Sequence, residues 1–129
     1  MTIQRFEEMK VWQDARKAVS DIYAVSSVGK FNRDYSLRDQ IQRASVSVMS
    51  NIAEGYERNN NREFIKFLGY SKGSIGEVRS LLYVALDRKY IQESEFISLY
   101  KSCVHISSQI ANFIKYLENR RPNGKKKRN

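Results

Sequence analysis

Proline, cysteine and histidine are nearly missing from this chain of 129 residues, which has one of each: Pro122, Cys103 and His105. Because proline breaks helices through its ring and its missing N–H, almost nothing between residues 3 and 119 forbids helix. A lone cysteine cannot form a disulfide within the chain, and a lone histidine cannot build a histidine cluster. We therefore expect no structural zinc within one subunit, no other metal site and no cofactor.

Long apolar runs are also missing. No run approaches the roughly 20 apolar residues that are needed to span a bilayer. The first ten residues, MTIQRFEEMK, are polar and include two glutamates, whereas a signal peptide starts basic and then becomes apolar. These absences predict a cytoplasmic protein without a membrane partner. The chain should nevertheless fold, because 41% hydrophobic and 12% aromatic residues are typical of a globular domain.

Basic residues outnumber acidic ones, with 23 Lys and Arg against 14 Asp and Glu and a net charge of +9. The last ten residues, RRPNGKKKRN, hold six basic and no acidic residues, which leaves +3 for the rest of the chain. We predict one folded domain over residues 1–119 and a basic C-terminal tail over 120–129. Such a tail serves either as a solvated arm or as a polyanion-binding arm, and the sequence does not choose between the two.

Apolar residues recur at helical spacing in four segments. These segments predict helices over residues of about 4–27, 36–58, 64–88 and 93–117. Ser36 is expected to cap the second helix, because it starts the capping pattern SLRD, and the segment SVGKFNRDY before it is expected to break the pattern. Short links favour antiparallel neighbours, so the predicted fold is all-α, an antiparallel up-down-up-down four-helix bundle.

Polar residues interrupt the apolar face of the second predicted helix. At about 100° per residue, Asn51 and Gly55 fall on the line of Leu37 and Ile41, and Glu54 falls at its edge. An unpaired buried amide costs about 1–3 kcal/mol, so Asn51 needs partners, which the third helix can supply. We predict a structural polar lock formed by Asn51, Glu54, Ser74 and Glu77, with Ser71 and Arg79 as further candidate partners. Close packing or the end of the helix should explain Gly55.

A second line of residues on this helix, together with small residues on the third, predicts contact between copies of the chain. A single bundle core cannot use both sides of one helix, so the second line is free for assembly. The alternative is a scatter of exposed apolar residues, which is common on protein surfaces. The predicted residues of this homo-oligomer interface are Val46, Met49, Ala53, Tyr56, Gly69 and Gly73.

Three segments resemble a known family: FEEMKVWQDARKAV, QIQRASVSVMSNIAEGYER and EFIKFLGYSKGSIGEV. They look like the four-helix-bundle family of 23S rRNA intervening-sequence proteins, over residues 6 to about 117, and SNIAEG followed by an arginine is the most specific mark. The resemblance implies a bundle that assembles into a ring, typically a homopentamer. It also implies distant kinship with the accessory variability proteins of diversity-generating retroelements, basic pentameric barrels that bind a reverse transcriptase and nucleic acid.

Two positions depart from the family pattern. Met49 stands where family members often have proline, so proline cannot kink the second helix here. Glu57 replaces a glycine within EGYER, so this helix is expected to run on longer. The tail lies outside the region of resemblance.

The first functional hypothesis is RNA binding by a basic homo-oligomer. Phosphate contacts need Lys and Arg repeated over a surface, and five copies would carry a charge of about +45. The candidate contacts are Arg58, Arg62, Lys66 and Lys72 in the body and Arg120, Arg121, Lys125, Lys126, Lys127 and Arg128 in the tail. Sequence-specific readout is not predicted, because aromatic residues arranged on strands, a common RNA-reading signature, are not found.

The second hypothesis is a scaffold or adaptor whose main partner is a protein. A retroelement reverse transcriptase is the example that the resemblance implies, with nucleic acid held between the two proteins. The two apolar lines on the second helix fit this hypothesis as well as the first.

An enzyme is the third hypothesis, and it is not expected. The chain has no second histidine, no nucleophile beside a base and no glycine-rich phosphate loop after a strand. We predict no catalytic residue. Cys103 should be a small buried residue and His105 a surface residue.

Overall fold

The computed structural model describes residues 2–120, and these residues fold into helices joined by short links. A 3-10 turn, Phe6–Glu8, comes before five α-helices. The helices are α1 (Lys10–Ser26), α2 (Gly29–Arg33), α3 (Tyr35–Glu57), α4 (Asn61–Asp87) and α5 (Glu93–Asn119). The described part of the chain contains no strand, which confirms the predicted all-α class.

The four long helices pack as a bundle in which α1 and α4 each contact α3 and α5. Contacts between α3 and α4 run in opposite chain directions, because Ser47 meets Ser74 whereas Gly55 meets Phe67. Contacts between α1 and α3, between α4 and α5, and between α1 and α5 show the same reversed order. The bundle is therefore antiparallel, with the up-down-up-down order that the short links predict.

The core is built from the apolar lines that the helical spacing predicts. Its fully buried aliphatic side chains include Ile22, Ile41, Val48, Ile52, Leu68, Ile75, Val78, Leu82, Ile106 and Ile110. Burying one such side chain stabilises the fold by about 1.5–3 kcal/mol. All four long helices contribute to this one core, so their mutual positions are tied together.

The first turn of α3 is capped by Asp34 and not, as predicted, by Ser36. The Asp34 carboxylate accepts a hydrogen bond from the backbone N–H of Leu37 at 3.2 Å. Its second oxygen accepts one from the hydroxyl of Tyr90 at 2.9 Å. Ser36 lies inside the first turn and is exposed. Asp34 takes the cap because the distant Tyr90 helps to hold its carboxylate in place, a contact that the local pattern does not contain.

The first predicted helix, over residues 4–27, is divided in the structure. Phe6–Glu8 forms the 3-10 turn, Met9 is extended, and α1 starts only at Lys10. The ring of Phe6 packs edge-on against Trp12 at 5.2 Å between ring centroids. The prediction of one continuous helix is wrong at this end, because the turn folds back onto α1.

The segment SVGKFNRDY separates α1 from α3, as predicted, but it contains the short helix α2. Gly29 begins this helix with φ +60°, a left-handed conformation that glycine adopts without strain. Phe31 is fully buried, and its ring lies 5.5 Å from that of Tyr90. α2 thus closes one end of the core with a single aromatic side chain.

Gly55 lies where α3 and α4 approach each other closely. A Cβ atom on Gly55 would stand 2.7 Å from the Cβ atom of Phe67 and 3.0 Å from Cδ1 of Phe64. Close packing therefore explains the glycine, which was one of the two predicted reasons. Helix α3 continues beyond it and ends at Glu57.

Candidate nucleic-acid interface

The predicted polar lock between α3 and α4 passes through Ser47, which the sequence reasoning did not include. The Asn51 amide donates to the backbone carbonyl and to the hydroxyl of Ser47, both at 2.9 Å. The hydroxyl of Ser74 lies 3.1 Å from that of Ser47, and buried Ser71 donates to the backbone carbonyl of Val48 at 2.7 Å. The expectation that Asn51 bonds directly to α4 is therefore corrected, because its own helix satisfies it.

The two carboxylates of the predicted lock lie away from Asn51. Glu54 pairs at 3.2 Å with Arg58, the residue that follows the end of α3, and both side chains are exposed. Glu77 is exposed as well and accepts a hydrogen bond from the side-chain amide of Gln40 at 3.2 Å. Glu77 thus links α3 to α4 at the surface, whereas Glu54 does not reach α4 through this pair.

The α3 residues predicted to contact another copy fall into two groups. Met49 and Tyr56 are half-buried and pack against the chain's own core, and the Tyr56 hydroxyl donates to the backbone carbonyl of Ile3 at 2.9 Å. The expectation that these two face away from the core is corrected, because both pack against it and the N-terminal segment binds Tyr56. Val46 is 38% exposed and Ala53 is half-buried, so both remain at the outer side of α3.

Gly69 and Gly73, the predicted assembly residues of α4, are exposed. A Cβ atom built on either of them, or on the neighbouring Gly76, would meet no atom within 4 Å. Packing within the described part of the chain therefore does not explain these glycines, in contrast to Gly55. They leave the middle of α4 with a smooth outer surface.

The four basic residues predicted as a body patch do not form a single patch. Arg58 is ion-paired and lies 4.8 Å from the ring centroid of Phe67. Lys66 lies 3.8 Å from a carboxylate one turn earlier in α4. Arg62 and Lys72 are exposed and have no ion pair among residues 2–120. By helical projection Lys72 points toward α5, away from Arg58.

The predicted tail contacts lie mostly beyond the part of the chain that the structure describes. Arg120 is described and exposed, and its guanidinium lies 5.2 Å from the ring centroid of Tyr116. Arg121, Lys125, Lys126, Lys127 and Arg128 lie outside the described residues. Helix α5 ends at Asn119, at the same end of the bundle as the link between α3 and α4.

By helical projection, four cations of the neighbouring helices α4 and α5 lie off the buried core lines and form a basic outer surface. Its four cations are Lys72 and Arg79 of α4 and Lys101 and Lys115 of α5, and we call this surface the α4–α5 face. The three lysines are exposed and Arg79 is half-buried. None of the four takes part in an ion pair within the described residues. Of these four, only Lys72 was predicted as a phosphate contact.

Acidic residues are kept away from the middle of the α4–α5 face. Helix α5 has no Asp or Glu between residues 96 and 117, and α4 has only Glu77 between residues 64 and 86. Glu77 is bonded on the α3 side. Without the five basic residues of 121–129 the chain has 18 basic and 14 acidic residues, a net charge of +4. The α4–α5 face therefore holds four cations, a number equal to this net charge, and its middle holds no acidic residue. Such a face favours an anionic ligand.

Three aromatic rings form a cluster at one end of the α4–α5 face. The ring centroid of Tyr83 lies 5.0 Å from that of Phe96 and 6.0 Å from that of Tyr100. The rings of Phe96 and Tyr100 are stacked at 5.6 Å. Tyr83 is 48% exposed. The neighbouring Tyr100 side chain raises the pKa of Tyr83 above the ordinary value for tyrosine, at which a phenol is already neutral at physiological pH.

Arg79 joins the basic and the aromatic parts of the face. Its guanidinium lies 5.4 Å from the ring centroid of Tyr100, a cation–π arrangement. Its Nε atom is buried and has no hydrogen-bond partner in the described part of the chain. Because that atom is closed off from solvent, a ligand would meet the charge of the half-buried guanidinium and not its Nε atom. The sequence reasoning considered Arg79 only as a partner for Asn51.

Cys103 and His105 lie where they were predicted. Cys103 is buried, and burial raises its pKa to about 12, so the thiol stays protonated. His105 is exposed, with Nε2 3.5 Å from a carboxylate oxygen of Asp14. Within residues 2–120 no three His, Cys, Asp or Glu side chains gather where they could hold a metal ion. No helix in this range is both long and apolar enough to cross a membrane.

The described residues thus define an all-α helical bundle with a basic and partly aromatic outer face. Residues 7–112 match the family of the 23S rRNA-intervening sequence proteins, and the chain belongs to that family. This confirms the resemblance noted in the sequence.

A solved structure shares the fold. It is the crystal structure of a protein of unknown function from the S23 ribosomal protein family of Bacteroides thetaiotaomicron. The two chains are 20% identical with a TM-score of 0.74, and the match covers 81% of this chain and 95% of the other. At this identity the likeness shows the fold alone. No curated protein matches the chain significantly.

Proposed function

We propose that this protein is a non-catalytic RNA-binding accessory protein that acts as a basic homo-oligomer in the cytoplasm. The observation that carries the proposal is the α4–α5 face, where four cations take part in no ion pair within residues 2–120 and no acidic residue lies among them. Membership of a family named for 23S rRNA intervening sequences makes RNA the natural polyanion. Unpaired cations of this kind release counterions from phosphates when they bind.

Phosphate binding has a measurable signature in its salt dependence. Each phosphate contact to a single strand contributes roughly 0.7 to the slope of log affinity against log salt concentration, so four contacts predict a slope of about −3. Fluorescence anisotropy with a labelled single-stranded RNA, titrated between roughly 50 and 200 mM salt, measures this slope. No binding at the lowest salt concentration would overturn the proposal.

A matched pair of variants locates the binding surface. The double variant Lys72→Gln, Lys101→Gln removes two cations of the α4–α5 face and should make the slope shallower by about 1.4. The control Lys10→Gln, Lys17→Gln removes the same charge from α1, where the lysines pair with Asp14 and Asp21 at 2.7 and 3.0 Å. An equal loss of slope in the control would show that net charge, and not this face, binds the RNA.

The basic tail is a second part of the proposed RNA contact. Deleting residues 120–129 removes six cations. We expect the deletion to weaken binding and to make the salt slope shallower without changing helicity. An unchanged slope would assign the tail to solubility alone.

The oligomer in this proposal is a ring, with five copies as the family resemblance implies. A ring needs two different surfaces on each protomer, and Val46 with Ala53 on α3 and Gly69 with Gly73 on α4 supply outer surfaces on two helices. Light scattering after gel filtration should give a discrete multimer. The variant Val46→Glu should shift it toward monomers with unchanged helicity. A wild-type monomer at micromolar concentration would contradict the ring.

A protein adaptor is the second candidate function, because apolar side chains also lie on the α4–α5 face. Ile97 is 46% exposed and Val104 is 38% exposed, one above the other along α5. A protein partner, with a retroelement reverse transcriptase as the resemblance implies, would cover them. Absence of RNA affinity at low salt favours this candidate over the first.

A further inference from the structure

We infer that Tyr83, Phe96, Tyr100 and Arg79 form a stacking site for an unpaired RNA base, which makes single-stranded RNA the ligand of the α4–α5 face. This inference rests on the proposed RNA-binding function and narrows it. The four residues come from two helices that are fixed by the bundle core, so the site exists before any ligand binds.

Tyr83 is the residue that offers a ring to a ligand. Two other rings contact it, Phe96 at 5.0 Å and Tyr100 at 6.0 Å, yet 48% of Tyr83 remains exposed. Support from two rings limits the freedom of the side chain, so stacking a base on it costs little additional ordering. Proteins that bind single strands use such aromatic side chains as platforms for bases.

Cations stand at the right places to hold the phosphates beside such a base. Arg79 lies one turn before Tyr83 on α4, about 6 Å along the helix axis. Its guanidinium is held over Tyr100 at 5.4 Å and has no carboxylate partner among residues 2–120. Exposed Lys101 follows Tyr100 directly, and Lys72 lies two turns before Arg79. All three cations lie on the same side of the ring along α4, because α5 runs in the opposite direction. A strand that follows α4 from the ring toward Lys72 would therefore meet positive charge along its path.

The charge of the face favours a nucleic acid over a second copy of the chain. Two copies that met through this face would bring unpaired cations together, and residues 96–117 of α5 contain no carboxylate to balance them. A duplex is disfavoured too, since its bases are stacked on one another and only unpaired bases offer a free face to a side chain.

The experiment compares two ligands of equal charge by fluorescence anisotropy. One is a uridine oligonucleotide of about ten residues, and the other is the same sugar-phosphate chain without bases. Wild-type protein should bind the uridine oligonucleotide roughly tenfold more tightly, as stacking on an aromatic platform would give. Tyr83→Leu should lose that preference and keep the affinity for the abasic chain, whereas Tyr83→Phe should retain the preference because the ring remains.

Tyr70→Leu is the matched control. Tyr70 lies on the same helix, is 51% exposed and also contacts a ring edge-on, that of Phe67 at 5.4 Å, but it lies on the other flank of α4. This variant should leave the preference for the uridine oligonucleotide unchanged. If Tyr70→Leu abolishes the preference and Tyr83→Leu does not, the stacking site is assigned to the wrong flank.

The outcomes separate the inference from the function on which it rests. Equal binding of both oligonucleotides by wild-type protein overturns the stacking site and leaves salt-dependent RNA binding intact. No binding of either at low salt overturns the proposed function itself. If Tyr83→Leu dissociates the oligomer in light scattering, the cluster is a contact between copies and the inference fails. The comparison with wild-type protein needs no variant, so it holds even if a substitution impairs folding.

Discussion

Helices α3 and α4 pack so closely that Gly55 of α3 has no room for a side chain. On the outer side of α4, in contrast, a Cβ atom on Gly69, Gly73 or Gly76 would meet no atom within 4 Å. Glycine therefore occurs on the α3 flank and on the outer side of α4 for different reasons. Gly55 is required because Phe64 and Phe67 of the same chain leave no space for a side chain. No neighbour within the described residues requires the outer glycines, which leave that surface without side chains at these positions.

The polar groups of the two flanks differ in the same way. On the α3 flank, Ser71 and Ser74 are bonded to α3, and Glu77 takes a hydrogen bond from Gln40. On the α4–α5 face, Arg79 and the lysines have no ion pair within residues 2–120. A flank whose polar groups are satisfied serves packing, and one with unpaired cations is suited to a ligand.

The largest effect is expected for Gly55→Ala. The new Cβ atom would stand 2.7 Å from the Cβ atom of Phe67, which is attached directly to the backbone and cannot turn away. Overpacking of this kind costs roughly 1–3 kcal/mol, more than the gain of about 1 kcal/mol in helix propensity. Urea unfolding followed by circular dichroism should show a lower midpoint. A stability equal to wild type would mean that α3 and α4 move apart easily.

A smaller loss is expected for Ser71→Ala. Its hydroxyl is buried and donates to the carbonyl of Val48 at 2.7 Å, so the change removes one cross-helix hydrogen bond. Such a bond contributes about 0.5–1.5 kcal/mol to stability. Ser80→Ala, an exposed position on the same helix, is the control and should change the free energy of unfolding by less than about 0.5 kcal/mol. Equal effects at both positions would remove the distinction between the flanks.

The smallest effect has the opposite sign and is expected for Gly76→Ala. No atom lies within 4 Å of the new Cβ position, so alanine should fit without strain. Alanine is favoured over glycine within a helix by up to about 1 kcal/mol, and the unfolding midpoint should therefore rise. A fall in the midpoint would show that another chain approaches α4 at this position in solution.

The helices were predictable because their signal is local. The lines that contain Leu37, Ile52 and Leu68 repeat at helical spacing, and all three side chains are buried. The single proline, Pro122, comes after the last helix, so no proline interrupts the helices. The ends were less predictable: the cap at Asp34 depends partly on Tyr90, which is 56 residues away in the chain.

The candidate site was predictable only in part. Lys72 was predicted because it is one of several basic residues of a strongly basic chain. Arg79, Tyr83 and Tyr100 were missed as a group, since Tyr83 and Tyr100 belong to different helices and meet only in the fold. The sequence signal for this face is the absence of Asp and Glu between residues 96 and 117. Counting charges segment by segment would have revealed it.

The all-α class, the buried apolar lines and the acid-free stretch of α5 follow from the amino-acid sequence alone, because spacing and composition are properties of neighbouring residues. The packing of the helices, in contrast, is what brings Ile3 to Tyr56, Phe67 to Gly55 and Arg79 to Tyr100. Periodicity shows which side of a helix is apolar, but it does not show which segment covers each flank. That depends on how all the helices pack together, since each contact joins residues that are far apart in the chain.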